Sequence, residues 1–373
     1  MSYCIVAISN DGGAPEQAYR KMQSAGACPE APYAEMFKFE VPSLTVGTLD
    51  TLMTLSDDLV KTDGVVEQTV RKIERTTAEL FDRKSSDLTV GGVPAQRYIQ
   101  QFAWDSAKYP NRRPLKELVA MIAGGAAGIE EELKQLTTSF ADKQAALQDA
   151  KRKSGGNLMK ADLNDSLDAA TMSNVNIVDT EYLKTVFVAI PKQAKENFES
   201  TIESLVDRHK VCGSPVVPGS AQLVKSDDDS LLYAVTILKG EYEAELAKAC
   251  REKRFVLREF KWDPSQAAKS AMAREQLYVE VDGMKSALMR WCKTHFGDAF
   301  VAWMHIKAIR VFVESVLRYG LPVDFTSVLY KIHNGKDYQL TQKLDKSLGS
   351  GADDDIDEGA EEYHDFVLLK FEP

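Results

Sequence analysis

From Leu115 to Ala150 the apolar positions advance by four residues, then three, without a break: Leu115, Val119, Ile122, Ala126, Ile129, Leu133, Leu136, Phe140, then Lys143 in register, Leu147 and Ala150. That rhythm lays the side chains along one seam of a helix over about five heptads. At 1.5 Å per residue a helix over 114–153 is roughly 60 Å long, about twice the width of a small domain. Such a rod needs a long companion, and the chain holds one further on. Leu277, Val281, Met284, Leu288 and Trp291 repeat the same rhythm, with Asp263 placed as N-cap, Pro264 at the first helical position and Gln266 to close a capping box. A third helix carries Leu49, Leu52, Leu59, Val66, Val70, Ile73 and Leu80, with polar Ser56, Asp63 and Thr77 in register. Gly124, Gly125 and Gly128 weaken the first rod locally and are read as points of close helix packing.

The stretch between the two rods has another texture. Lys153-Ser154-Gly155-Gly156-Asn157 ends the first helix, and the run Tyr182–Ile190 reads as a buried strand. Pro191 opens a helix with Ala194, Phe198, Ile202 and Leu205 on one face. Leu231–Leu238 and Phe255–Trp262 read as further strands, around a helix with Glu241, Glu243 and Glu245 early and Lys248, Arg251, Lys253 and Arg254 late, the order that suits the helix dipole. Connectivity then predicts a mixed α+β fold shaped as an elongated dumbbell. Residues 1–112 and 298–373 form a discontinuous foot, 113–155 and 263–297 an antiparallel helical neck, and 160–262 an inserted α/β head. The acidic, Gly-rich residues 349–362 read as a solvated linker before a last strand, Phe366–Phe371.

Two charged features are candidates for binding. The helix expected over Ala302–Tyr319 is apolar nearly all round, through Ile306, Ile309, Val311, Phe312, Val313, Val316 and Leu317. Lys307, Arg310, Glu314 and Arg318 nevertheless share one of its faces. An internal Arg310–Glu314–Arg318 ladder would satisfy part of that stripe; Lys307 and a remaining arginine would then suit an outside carboxylate. The second feature is Arg251, Lys253, Arg254 and Arg258 at a helix end and the following strand of the head. It serves either as dipole capping or as a partner surface.

Chemistry is sparse by comparison. Nothing matches GxxxxGK[ST], HExxH or GxSxG, and the five histidines and five cysteines are scattered, so no catalytic, cofactor or metal-binding residue is assigned. The thiols read as reduced, as in the cytosol. A net charge of −10 speaks against generic nucleic-acid binding. The opening MSYCIVAIS reads as a strand and not a signal peptide. Val119–Ile129, the longest weakly apolar run, is far short of the roughly 20 residues of a membrane span, so membrane association would come through a partner.

The block Ala299–Phe325 (AFVAWMHIKAIRVFVESVLRYGLPVDF) resembles the C-terminal signature of the C subunit of the eukaryotic vacuolar-type proton-pumping ATPase (V-ATPase). GTLDTLMTLSDDL (47–59), YIQQFAWDSAKYP (98–110), DTEYLKTVFVAIPK (179–192) and EKRFVLREFKW (252–262) agree with it in order. The likeness thins over the first 30 residues, around 211–230, and beyond about 335. It implies a foot, neck and head, and a non-catalytic stator part without cofactor. As implied partners it brings the peripheral-stalk heterodimers of the E and G subunits, the cytosolic N-terminal domain of the membrane-sector a-subunit, and actin, the last not placed on any residue. It also implies a cytoplasmic protein held at acidifying organelles through the complex and released on reversible disassembly. A free-standing coiled-coil scaffold or tether is the alternative; it would self-associate through the heptads.

Overall fold

A computed structural model describes residues 2–28, 31–81, 88–155, 158–159, 162–167, 169–206, 214–240, 242–258, 260–349 and 364–373. Helix and antiparallel sheet are mixed throughout, as expected. The chain divides into two compact units, Met1–Thr137 with Ser286–Pro373, and Thr138–Lys285. Both divisions fall inside long helices.

In the first unit β1 (Tyr3–Ser9), β2 (Ala34–Lys38), β7 (Phe325–Ile332) and β8 (Val367–Phe371) form an antiparallel sheet in the order β8-β1-β7-β2. Val6 lies opposite Val328 on one side and Leu368 on the other. Both faces of β1 are covered, which explains its unbroken apolar run. Tyr3, Ile5 and Ala7 join one core, which includes much of α2 (Leu49–Phe81) and the end of α6 (Pro264–Tyr319). Cys4, Val6 and Ile8 join a second, built on α1 (Pro15–Gly26) and α7 (Asp337–Leu348).

In the second unit β3 (Leu183–Pro191), β4 (Gln222–Ser226), β5 (Ser230–Leu238) and β6 (Val256–Arg258) lie in the order β6-β3-β5-β4. Phe187 stands opposite Ala234, and a bulge interrupts β4 between Leu223 and Lys225. Here too alternate residues serve two cores. Val186, Val188 and Ile190 meet Phe198 on α4 (Lys195–Thr201) and Ile202 just after it, as the helix reading required; Phe187 and Ala189 meet Leu163, Leu167 and Met172.

Most heptad positions of α3 (Leu115–Gly155) are filled from within the chain, but Leu136, placed in the seam, is 37% exposed. Leu115, Val119, Ile122, Ala126, Leu133, Phe140 and Leu147 are buried. In the first unit Trp291 Nε1 donates to Glu132 Oε2 at 3.2 Å. In the second Lys143 Nζ, the polar break in the seam, meets Glu280 Oε2 at 2.8 Å, and Lys151 lies over the Tyr278 ring. Within the second unit the α6 partner falls from Glu280 to Tyr278 as the α3 residue rises from Lys143 to Lys151, so the two helix segments run antiparallel there. Asp263 caps α6, accepting from Ser265 N at 2.9 Å and Gln266 N at 3.4 Å, with Ser265 Oγ as a further donor.

Three expectations need correction. The helices foreseen at 264–297 and 302–319 are one helix of 56 residues. Gly297 costs such a helix only about 1 kcal/mol relative to alanine, and burial of Phe296 and Phe300 on either side offsets that. The Gly124-Gly125-Gly128 cluster is exposed, with nothing within 4 Å of where a Cβ would stand, so it does not mark close packing. Leu49, placed in the α2 seam, is 62% exposed; Leu55 packs inward in that first stretch. The segment 350–363, which holds most of the expected acidic linker, lies outside the described residues.

Candidate functional site

The charged stripe on α6 is committed inside the first unit. Lys307 is 2% exposed, and its Nζ lies 3.1 and 3.2 Å from the two carboxylate oxygens of Asp63 on α2. Arg310 donates to Asp63 Oδ2 at 2.6 Å, and Trp303 Nε1 to Asp63 Oδ1 at 3.0 Å. The Lys307 ammonium sits between two rings, 4.6 Å from the centre of Trp303 and 4.8 Å from that of Phe371 on β8. Burial pushes its pKa down, and the Asp63 carboxylate opposes that shift. Arg310 Nε is buried with no hydrogen-bond partner among the described residues.

The expected Arg310–Glu314–Arg318 ladder is not how these charges are satisfied. Glu314 accepts from Ser56 Oγ at 2.8 Å, Arg310 turns to Asp63, and Arg318 donates to the carbonyls of His364 and, at 2.6 Å, Phe366. Ser56, Asp63 and Thr77, the polar breaks in the α2 heptads, all meet polar groups. Ser56 and Asp63 bond to α6 side chains, and Thr77 bonds to the Ile73 carbonyl and helps hold down the Cys292 thiol pKa that burial raises. Asp63 was the signal sequence reasoning saw and did not use: an acid in an apolar seam implies a buried cation opposite.

Nearby, His305 joins two of the segments that carry the family likeness. It is fully buried, with Phe102, Trp104 and Tyr109 ring centres at 5.2, 4.7 and 4.6 Å. Nδ1 lies 2.7 Å from the Val301 carbonyl, and Nε2 accepts from the Asp105 amide at 3.0 Å. Only the neutral ring with its proton on Nδ1 fits both bonds, and burial pushes the pKa down to about 4.

In the second unit Arg251, Lys253 and Arg254 are exposed together where α5 (Tyr242–Glu252) ends. The helix closes through Arg254, whose φ is +62, and Phe255 N bonds back to the Cys250 carbonyl at 2.8 Å. Left-handed backbone is ordinary for glycine there and strained for arginine. Arg258, on β6, donates to the Met159 carbonyl at 2.6 Å. The structure therefore gathers three of these four cations of the second unit into one exposed turn and gives the fourth a structural bond. Among the described residues no group of three His, Cys, Asp or Glu side chains could hold a metal ion, and no helix is long and apolar enough to cross a membrane.

A family model for the V-ATPase C subunit matches residues 3–367. The V-type proton ATPase C subunit of Dictyostelium discoideum is 37% identical over 314 residues, covering 83% of this chain and 81% of that one. That of Caenorhabditis elegans is 32% identical over 385 residues, covering 99% and 96%. The C 1 subunit of Xenopus tropicalis is 35% identical over 352 residues, covering 90% and 89%.

Proposed function

We propose, from the premise that the chain belongs to the family of V-ATPase C subunits, that it is a non-catalytic stator subunit, bridging the peripheral stalks of the pump to its membrane sector. The observation that carries this reading is the family match along nearly the whole chain, 3–367, not over one module. Rotary catalysis drives a rotor against a static frame, and several moderate contacts at separate surfaces hold a frame firmly while allowing stepwise release. In this reading 1–112 with 298–373 is the foot, 113–155 with 263–297 the neck, and 160–262 the head. Its partners are the stalk heterodimers of the E and G subunits and the cytosolic N-terminal domain of the a-subunit; actin is a further family partner without a place here. The protein works in the cytoplasm at acidifying organelles and leaves when the pump disassembles.

Arg251, Lys253 and Arg254 are proposed as part of the head's stalk contact, with Arg258 beside them. Of the α6 cations, Lys307, Arg310 and Arg318 bind inside the unit. Any partner role for that stripe would therefore pass through the half-buried edges of Arg310 and Arg318, since Lys307 is closed off. Burial of most of the α3 seam within the chain favours this reading over a self-associating tether.

Isolation of the native protein under conditions that keep complexes intact tests the reading. The E and G subunits and the a-subunit should co-purify. Membranes lacking the chain should lose ATP-driven acidification while the catalytic core still hydrolyses ATP. Recovery of a homo-oligomer free of other pump components would overturn it.

A further inference from the structure

We propose that the outward face of the first turns of α2, carrying Leu49, Met53 and Val60, is a docking site for a basic amphipathic helix of another protein. These side chains are 62%, 57% and 52% exposed. At 3.6 residues per turn they fall within roughly 40° of one another and extend over roughly 16 Å of helix. Gly64 continues the same line one turn on; it is exposed, and nothing lies within 4 Å of where its Cβ would stand, so no side chain stands over that end of the line. Leu52, Leu59 and Val66 already fill the buried side of α2. The exposed line is therefore not needed for folding. Single exposed leucines are ordinary; an ordered apolar line is the mark of a contact.

Charge selects the occupant. Asp50 and Asp57 stand beside the line on its outward side, with Asp58 and Lys61 further round. Among the described residues no ion pair engages the three aspartates. An anionic lipid surface would meet those carboxylates and be repelled. A second copy docked on the same face would set aspartates against aspartates. A helix with an apolar stripe edged by Lys or Arg meets both the apolar line and its acidic border. This surface lies apart from the α6 cations and the head turn, and it stands on its own observations.

The test places a photo-crosslinking amino acid at Met53 of the full chain, expressed in place of the natural one, with complexes recovered intact before mapping. Crosslinks should fall on a segment of another protein with apolar residues every three or four positions and a net positive charge. Leu49→Ser with Val60→Ser should abolish them. Asp50→Lys with Asp57→Lys should lower the yield at least five-fold. Both variants should keep the melting temperature, and the milder Leu49→Gln should halve the yield or more if the serine pair melts early. Crosslinks to lipid, to a second copy or to an acidic segment would overturn the proposal, as would no crosslink or an unchanged yield after charge reversal. A mapped segment of the right chemistry on a protein outside the pump would uphold it and leave the stator reading to its own test, the recovery of pump subunits with the chain.

Discussion

Asp63 and Lys307 are 244 residues apart in sequence and hydrogen-bonded in the core of the first unit. One carboxylate there serves two cations and an indole, and the rings of Trp303 and Phe371 close over the ammonium. Removing the acid should cost far more than removing the pair. Asp63→Ala leaves Lys307 buried without a counter-charge, and we expect a loss of about 3–5 kcal/mol in urea unfolding. Asp63→Met with Lys307→Met restores apolar packing and should recover most of that loss, because Arg310 keeps a path to solvent. A double variant no better than Asp63→Ala would mean that the pair's geometry, not the stranded charge, sets the cost.

His305 makes stability depend on pH in a defined window. Its pKa is about 4 when folded against 6.5 in the unfolded chain. Above pH 6.5 both states hold the ring neutral and its contribution is fully present. As pH falls from 6.5 towards 4, the unfolded chain binds a proton that the folded chain refuses, and stability is lost. The span corresponds to about 3 kcal/mol. Denaturant midpoints between pH 7 and pH 4 should fall for the natural chain and fall less for His305→Phe, which keeps a ring among Phe102, Trp104 and Tyr109. Parallel pH profiles for the two proteins would assign the acid sensitivity to other groups.

These two residues show what the sequence could and could not reveal. Heptad spacing located α2, α3 and α6 because helical periodicity is a local property. The same spacing exposed Asp63 as a polar break, and the charged stripe of α6 stood out against its apolar surround. What joined them depended on how α2 lies against α6, which no local pattern states. The Phe371 cover over Lys307 depends further on the register of β8 against β1. The continuity of α6 through Gly297 was missed because a lone glycine costs little where large side chains are buried on either side. The Gly124–Gly128 cluster misled for the opposite reason: small residues permit close packing without requiring it.

At Arg254 stability and partner recognition should pull apart. A left-handed arginine costs about 1 kcal/mol that glycine would not. Arg254→Gly should therefore raise the melting temperature of the isolated chain. It should also weaken binding to an E–G stalk heterodimer if the turn of Arg251, Lys253 and Arg254 is the head's contact. Titration of the purified heterodimer separates the two effects. A more stable variant with unchanged affinity would move the contact elsewhere on the head.

Arg318 offers the sharpest choice between an outward and an inward role for the α6 stripe. Its guanidinium holds the carbonyls of His364 and Phe366, just ahead of β8, while His364 Nδ1 lies 2.6 Å from Asp345 at the end of α7. β8 is the edge strand that pairs with β1 and supplies Phe371 to the Lys307 site. Arg318→Glu would set a carboxylate against two carbonyl oxygens, and bonds from a charged donor are worth about 1.5–3 kcal/mol. The isolated variant should melt earlier. Its amide exchange should rise first along 366–371, before Leu329 and its neighbours on β7. Because β8 helps cover Lys307, Arg318→Glu combined with Asp63→Ala should cost less than the sum of the two changes. ATP-driven acidification in membranes should then fall in proportion to the chain that remains folded. A variant that kept its stability and exchange pattern yet failed to assemble would show instead that Arg318 faces a partner.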